Sequence, residues 1–378
     1  MPTYLDCNAT TPVEPRVQAV VFRFMSEEFG NAGSRTHEFG ARAKKAVETA
    51  RRQVASVVSA KPDEVTFTSG ATESNNLALL GLKRHGLESG RRHVITTAIE
   101  HKSVLEPCEH LVTEGFELTV LPATRGGWVD PEELRRALRP DTLLVSVMHV
   151  NNETGVVQPV QLIADVLAGH EAYLHVDAAQ GFGKDLAPLK SSRIDLISAS
   201  GHKLYAPKGV GALVARRRGF KKPPLQPLAF GGGQERGLRP GTLPVALIAG
   251  FGEACEIAVN ENATWRERWE ELRRIIKEGL GPLRVEFLGD QDRCLPNTLS
   301  LRMPGLDSEA AMVALKDIVA VSNGSACTSS AYSPSHVLLA MGLAQEQVQG
   351  ALRLSWCHLT EKPNIDKITS RLTSLIGC

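Results

Sequence analysis

Tyr173-Leu174-His175-Val176-Asp177-Ala178-Ala179-Gln180 and Asp195-Leu196-Ile197-Ser198-Ala199-Ser200-Gly201-His202-Lys203 are the two stretches that decide the fold. Each is a short apolar run that ends abruptly in polar residues, the pattern of a buried strand feeding a loop. Asp177 and Lys203 are separated by 26 positions, about one crossover, so they can sit at neighbouring parallel strand ends and face one crevice. Similar runs lie at 64–68, 93–97, 143–148 and 210–214, alternating with helix-length segments between about Pro62 and Arg216. That alternation predicts βαβ units and a mostly parallel sheet, with ligands held beyond the carboxyl ends of its strands. Further along, residues 260–280, rich in Glu and Arg around Trp265 and Trp269, predict a long amphipathic helix leaving the first domain. Residues 297–303 and 319–321 read as strands of a second, smaller domain, and the Gly and Pro cluster from Lys222 to Pro244 reads as a functional loop.

A chain of 378 residues has room for two or three domains with sizeable cores. With 42% hydrophobic and 22% charged residues it is neither disordered nor fibrous. Lys plus Arg is 43 against 42 for Asp plus Glu, which removes a global electrostatic case for nucleic acid or anionic membrane and leaves only local patches open. The opening residues lack a secretory pattern and no apolar run is long enough to cross a bilayer, so a cytoplasmic protein is expected. The seven cysteines, at 7, 108, 255, 294, 327, 357 and 378, form no C-x-x-C pair. Neither a disulfide framework nor a metal site is expected.

Thr68-Ser69-Gly70-Ala71-Thr72-Glu73-Ser74-Asn75 follows one strand and opens a helix. Small residues there can hold a phosphate at a helix N-terminus, or Ser and Thr can simply cap the first turn. Asp177 and Lys203 alone read as a buried ion pair. Together with an anion loop they suit pyridoxal phosphate, which needs a lysine for its Schiff base, an acid at the pyridine nitrogen and an anion site. His101, after the run 93–97, is either a satisfied structural histidine or a ring that stacks on a flat cofactor and moves protons. Cys327 lies in Ser322-Asn323-Gly324-Ser325-Ala326-Cys327-Thr328-Ser329-Ser330, among small polar residues where a structural cysteine is rarely found. A free thiol is only a few per cent thiolate at neutral pH, so a catalytic role there needs an activating neighbour. The other six cysteines read as fillers or surface thiols.

Taken together, these residues resemble the cysteine desulfurases, fold-type-I pyridoxal phosphate enzymes of the aminotransferase class V group. The resemblance runs from Tyr4-Leu5-Asp6-Cys7-Asn8-Ala9-Thr10-Thr11-Pro12 to about Thr360. It is most specific at Val150-Asn151-Asn152-Glu153-Thr154-Gly155, Ser200-Gly201-His202-Lys203, Gly231-Gly232-Gly233-Gln234-Glu235-Arg236-Gly237 with Gly241-Thr242, and Gly324-Ser325-Ala326-Cys327. The last motif marks the subgroup with a long catalytic loop. The resemblance implies an α/β fold: a large domain, 15–258, with a mostly parallel seven-stranded sheet flanked by helices, and a smaller α+β domain from 1–14 and 259–378.

Carried over by motif, Lys203 bonds the cofactor and shuttles the Cα proton, Asp177 keeps the ring nitrogen protonated and Gln180 meets the ring hydroxyl. Ala71, Thr72, Ser200 and His202 hold the phosphate, and Thr242 reaches it from the partner of a homodimer. His101 stacks on the ring, Asn152 contacts cofactor and substrate, and Arg353 clamps the carboxylate of L-cysteine with paired donors. Cys327 then takes the substrate sulfur as a persulfide, leaving alanine, and hands it to an acceptor protein. Two features depart from the family pattern: Ala206 stands where a glycine is usual, and the sequence ends at Cys378, short of the tail common in iron–sulfur sulfur donors. Loop and ending most resemble desulfurases of bacterial DNA phosphorothioation systems. Iron–sulfur or tRNA-thiolation donors, selenocysteine lyase and a non-catalytic interaction subunit are the rival readings.

Overall fold

The computed structural model describes residues 1–324 and 334–376. Its strands are β1 (Thr3–Tyr4), β2 (Val65–Thr68), β3 (His93–Thr97), β4 (Glu117–Leu121), β5 (Thr142–Met148), β6 (Tyr173–Asp177), β7 (Leu196–Ser200), β8 (Gly211–Ala215), β9 (Glu286–Phe287), β10 (Thr298–Arg302), β11 (Val319–Ala320) and β12 (Ala351–Ser355). The α-helices are α1 (Pro15–Ser26), α2 (Glu38–Val57), α3 (Ala71–Leu80), α4 (Lys83–Ser89), α5 (Lys102–Thr113), α6 (Pro131–Ala137), α7 (Val160–Val166), α8 (Val245–Gly279), α9 (Ser308–Leu315), α10 (His336–Ala340), α11 (Gln345–Gln349) and α12 (Ile365–Ile376).

All six runs read as strands between 64 and 214 join one seven-stranded sheet, in the order β2-β8-β7-β6-β5-β3-β4. Pairs β3–β4, β3–β5, β5–β6 and β6–β7 are parallel, and only β8 runs against its neighbours β7 and β2. Strands β2, β3, β5 and β7 are buried along their whole length, which is why they read as continuous apolar runs rather than alternating ones. The seventh strand, β4, gave no such signal: it is the edge strand and is mostly exposed or half-buried. The order reverses at β3, with β4 on one side and β5 on the other, and the crevice at such a reversal is where open α/β sheets bind ligands.

The helix expected at 260–280 is the second half of α8, which starts at Val245 and runs 35 residues. Its first half was hidden because it is small and apolar rather than amphipathic. There α1 and α2 pack closely against it: a Cβ on Gly252 would stand 2.5 Å from the Ala50 Cα. Its second half buries Trp265, Trp269, Leu272 and Ile276. Beyond it, β12-β10-β9 form an antiparallel sheet, and β1 pairs in parallel with β11, drawing the N-terminal segment onto the C-terminal third. The 222–244 stretch holds no α-helix or strand, as expected. It is pinned by buried Glu235, which pairs with Arg51 at 2.6 Å and accepts the Phe67 N–H at 2.8 Å.

Candidate active site

At the β3/β5 reversal lies a cavity of about 530 Å³. Asp177, ending β6, and Lys203, in the turn after β7, both line it, as the spacing predicts. Each has its own partners. Asp177 is buried and accepts from the Asn75 side-chain amide at 2.8 Å and the Ala179 N–H at 2.9 Å. Lys203 Nζ donates to the carbonyls of Asn8 and of Ala9, the latter at 2.7 Å. The same Asn8 carbonyl accepts from Gln180 Nε2 at 2.9 Å, while Gln180 Oε1 is buried with no partner.

One wall is the N-terminus of α3. Gly70 at its cap has φ +155° and offers no side-chain cap, so the Ser and Thr of this stretch do not cap the first turn. Thr68 Oγ1 is instead 2.8 Å from Ser74 Oγ. The φ of Gly70 is what calls for glycine there, while close approach calls for glycine at 211 on β8, where a Cβ would stand 2.6 Å from the Gly70 Cα. The first-turn N–H groups at Ala71 and Thr72 lack intrahelical acceptors, and both residues line the cavity beside Ser200 and His202. His202 Nδ1 is 3.1 Å from Thr10 Oγ1. Burial, with Lys203, Lys208 and Lys184 adding, holds His202 down to about 4, so it is neutral at pH 7 and meets an anion as a hydrogen-bond donor.

His101 also lines the cavity and caps α5: its Nδ1 accepts the Ser103 N–H at 3.1 Å. That bond puts the proton of the neutral ring on Nε2. Burial lowers its proton affinity, Asp177 opposes this and Lys203 reinforces it. Arg353, buried on β12, donates to the Asn152 carbonyl at 2.9 Å and to Asp6 at 2.7 Å, and its Nε has no partner among the described residues. Asn152 and Arg353 complete the cavity lining.

One expected residue described by the structure does not join this cavity. Thr242 is exposed and outside it. Cys327 lies outside the described residues, but Gly324 and Pro334 on either side of 325–333 line a second cavity of about 570 Å³ that shares His101 and Asn152 with the first. Ser322, just before, donates its N–H to the Arg353 carbonyl at 3.2 Å. The structure adds Asn75, Asn8 and Asp6. All three lay inside stretches already singled out, Asp6 and Asn8 in 4–12 and Asn75 in 68–75, but none had been given a role. The left-handed backbone near Lys203 falls on Tyr205, φ +59°, and not on Ala206. Of the other cysteines, Cys7, Cys108, Cys255 and Cys357 are buried fillers and Cys294 is half-buried; Cys378 lies outside the described residues. The Cys7 thiol donates to Cys357, which raises Cys7 and, with Thr360 and Lys184 helping against burial, lowers Cys357 to about 7.

The aminotransferase class-V family model matches residues 3–368. Cysteine desulfurase IscS of Escherichia coli O139:H28 is 45% identical over 380 residues, covering 100% of this chain and 93% of the relative. Among solved structures, a NifS-like protein matches with a TM-score of 0.91 at 37% identity over 100% of both chains. The crystal structure of DndA from Streptomyces lividans matches with a TM-score of 0.83 at 53% identity, covering 94% of this chain and 99% of that one.

The chain belongs to the class-V aminotransferases, among the cysteine desulfurases. Pyridoxal phosphate is the cofactor of this desulfurase, and the cavity suits it. An amine, a buried carboxylate, an anion cradle and an unpartnered amide oxygen on Gln180 surround one space, matching the aldehyde, ring nitrogen, phosphate and hydroxyl of that molecule. Bound there, the ring supplies an electron sink for charge developing at the substrate Cα.

Proposed function

We propose that this desulfurase converts L-cysteine to L-alanine and keeps the sulfur as a persulfide on Cys327 for an acceptor protein. Lys203 carries the cofactor and moves the Cα proton, and Asp177 holds the proton on the ring nitrogen. Gln180 takes the ring hydroxyl, and Ala71, Thr72, Ser200 and His202 take the phosphate. Arg353 binds the substrate carboxylate beside Asn152, and neutral His101 exchanges protons. The Cys327 thiolate then attacks the substrate sulfur: the S–S bond forms as the C–S bond breaks, and the Cα side leaves as alanine. The observation that carries this reading is the shared wall of the two cavities. His101 and Asn152 stand between the Lys203 cavity and the space lined by the flanks of the Cys327 segment.

The homodimer is part of the same proposal. Thr242 sits outside its own chain's cavity and is available to a partner's. Phe22, Met25, Phe29, Phe39 and Phe230 are exposed, an apolar surface that a second copy would cover. The division into 15–258 and 1–14 with 259–378 is proposed with α8 as the spine common to both. The acceptor is proposed to serve DNA phosphorothioation. The resemblance of the loop supports this, as does an identity of 53% to DndA against 45% to IscS. Among the described residues no helix is long and apolar enough to cross a membrane, and a cytoplasmic site of action is proposed.

The test is peptide mass spectrometry after incubation of the cofactor-loaded enzyme with L-cysteine, alongside Cys327→Ser and with alanine quantified. Added sulfur on the Cys327 peptide, with alanine formed and both lost in the variant, is the expected result. Alanine that does not depend on Cys327 would mean a lyase, and no alanine would mean an interaction subunit.

A further inference from the structure

Glu100 ends the turn between β3 and α5, one residue before His101, and is fully buried. Its Oε1 accepts from the Thr97 hydroxyl at 2.7 Å and from the Met148 N–H at 2.8 Å. The carboxyl group therefore clips the end of β3 to the end of β5. Its Oε2 has no partner among the described residues, and no cation acts on it. Met148 is the register partner of Asp177 across the β5–β6 pair. The titratable groups around Glu100 are Asp177 from β6, His101 and Cys108 from α5 and its cap, and His336 from α10, whose Nε2 is 2.9 Å from the Glu100 carbonyl.

An ionised Glu100 would be stripped of water, without a cation and close to a second carboxylate. Two carboxyl groups in that situation do not both ionise. The Asn75 amide and the Ala179 N–H donate one to each oxygen of Asp177, whereas Glu100 Oε2 meets no donor among the described residues. Burial pushes Glu100 up to about 8, Asp177 adds to the rise, and the Thr97 and Met148 hydrogen bonds only partly oppose it.

We propose that Glu100 is a positioning residue, an uncharged carboxylic acid that ties the His101 and Asn152 turns together and leaves Asp177 as the lone negative charge beneath the cofactor. The second tie between these turns is the Asn151 side-chain amide, which donates to the Ile99 carbonyl at 3.1 Å. When Glu100 ionises, its hydrogen bonds from Thr97 and Met148 persist, but the buried charge repels Asp177, the register partner of Met148, and disturbs the alignment of His101 with Asn152. The kinetic part of this inference rests on the desulfurase reading; the rest does not.

The experiment compares wild type with Glu100→Gln and Glu100→Ala. In the apoprotein near pH 6.5, between the ordinary carboxyl value and that of the buried group, the wild type should show an infrared band of a protonated, buried carboxyl that Glu100→Gln lacks. Because the folded value lies above 4.5, the stabilising effect of Glu100 is complete below that pH and is lost as pH rises to about 8. The Tm difference between wild type and Glu100→Gln should therefore shift against the wild type across that window.

In the holoenzyme, Glu100→Ala should lower kcat by about tenfold or more and Glu100→Gln restore it to within about threefold. The fall in wild-type kcat above about pH 8 should be absent from Glu100→Gln. A missing carboxyl band, a Glu100→Gln kcat as low as that of Glu100→Ala, or identical alkaline limbs would overturn the proposal. Cofactor-loaded wild type that makes no alanine would overturn the desulfurase reading instead, and the band and Tm comparison would still decide the state of Glu100.

Discussion

The floor and the rim of the Lys203 cavity are built in different ways. The floor, Asp177 and Lys203 with Ser200 and His202, comes from two adjacent parallel strands and the turns that follow them. Its geometry is a consequence of sheet pairing. The rim, Asp6 and Asn8 with Arg353, joins residues 347 positions apart, Arg353 to Asp6 and the Asn8 N–H to Ser355 Oγ. Its geometry depends on the N-terminal segment crossing to the C-terminal third. The floor takes its backbone from sheet pairing, whereas the rim is made by contacts between the two ends of the chain.

Damage to the floor should therefore abolish chemistry, and damage to the rim should weaken binding. Lys203→Ala should reduce kcat by at least roughly 10³-fold, since the two roles proposed for Lys203, covalent anchor and proton shuttle, would both be lost; steady-state alanine formation checks this. Asp177→Asn follows at roughly 10² to 10³-fold in kcat, with the substrate KM little changed, because charge stabilisation at the cofactor is lost. On the rim, Arg353→Lys should raise KM for L-cysteine roughly 10- to 100-fold, the loss of one charge-assisted bidentate contact, with a smaller change in kcat. If Arg353→Lys instead cost as much kcat as Asp177→Asn, the division between floor and rim would fail.

A pH test sharpens the same contrast at a smaller scale. His202 belongs to the floor. His358, behind the rim, is stacked on Trp265 at 4.4 Å and has both ring nitrogens unpartnered. Burial holds each down to about 4, from an unfolded value of 6.5. Their contribution to stability is complete above that unfolded value and is lost as pH falls from 6.5 to about 4. Calorimetry should show Tm falling over that window, and His358→Phe should flatten the fall without altering cofactor binding. The smallest expected effect is chemical: native protein treated with iodoacetamide should leave Cys7, Cys108, Cys255 and Cys357 unmodified until it is unfolded, because all four are buried.

Six of the seven strands of the large sheet were legible because strands buried in a covered sheet are continuous apolar runs. Strand β4 was not, since it is mostly exposed or half-buried, unlike β2 at the opposite edge. The first half of α8 escaped for the opposite reason: it packs on both sides through small residues, and a helix apolar all round has no periodic stripe. In the site, Asp177, Lys203, Gln180 and the α3 stretch could be read from the polar residues that end strands. Asn75, Asp6 and Glu100 could not, because their roles lie in hydrogen bonds to groups brought close by the fold.

From the chain alone came the sheet, the anion loop, the acid and the lysine facing one crevice, and a cysteine in unusual company, because strand periodicity and chemical type are local properties of the sequence. Which groups meet Glu100, which carbonyls hold Lys203, and how Asp6 meets Arg353 were settled only in three dimensions. Burial and hydrogen bonding are properties of neighbours, and these neighbours are far apart along the chain.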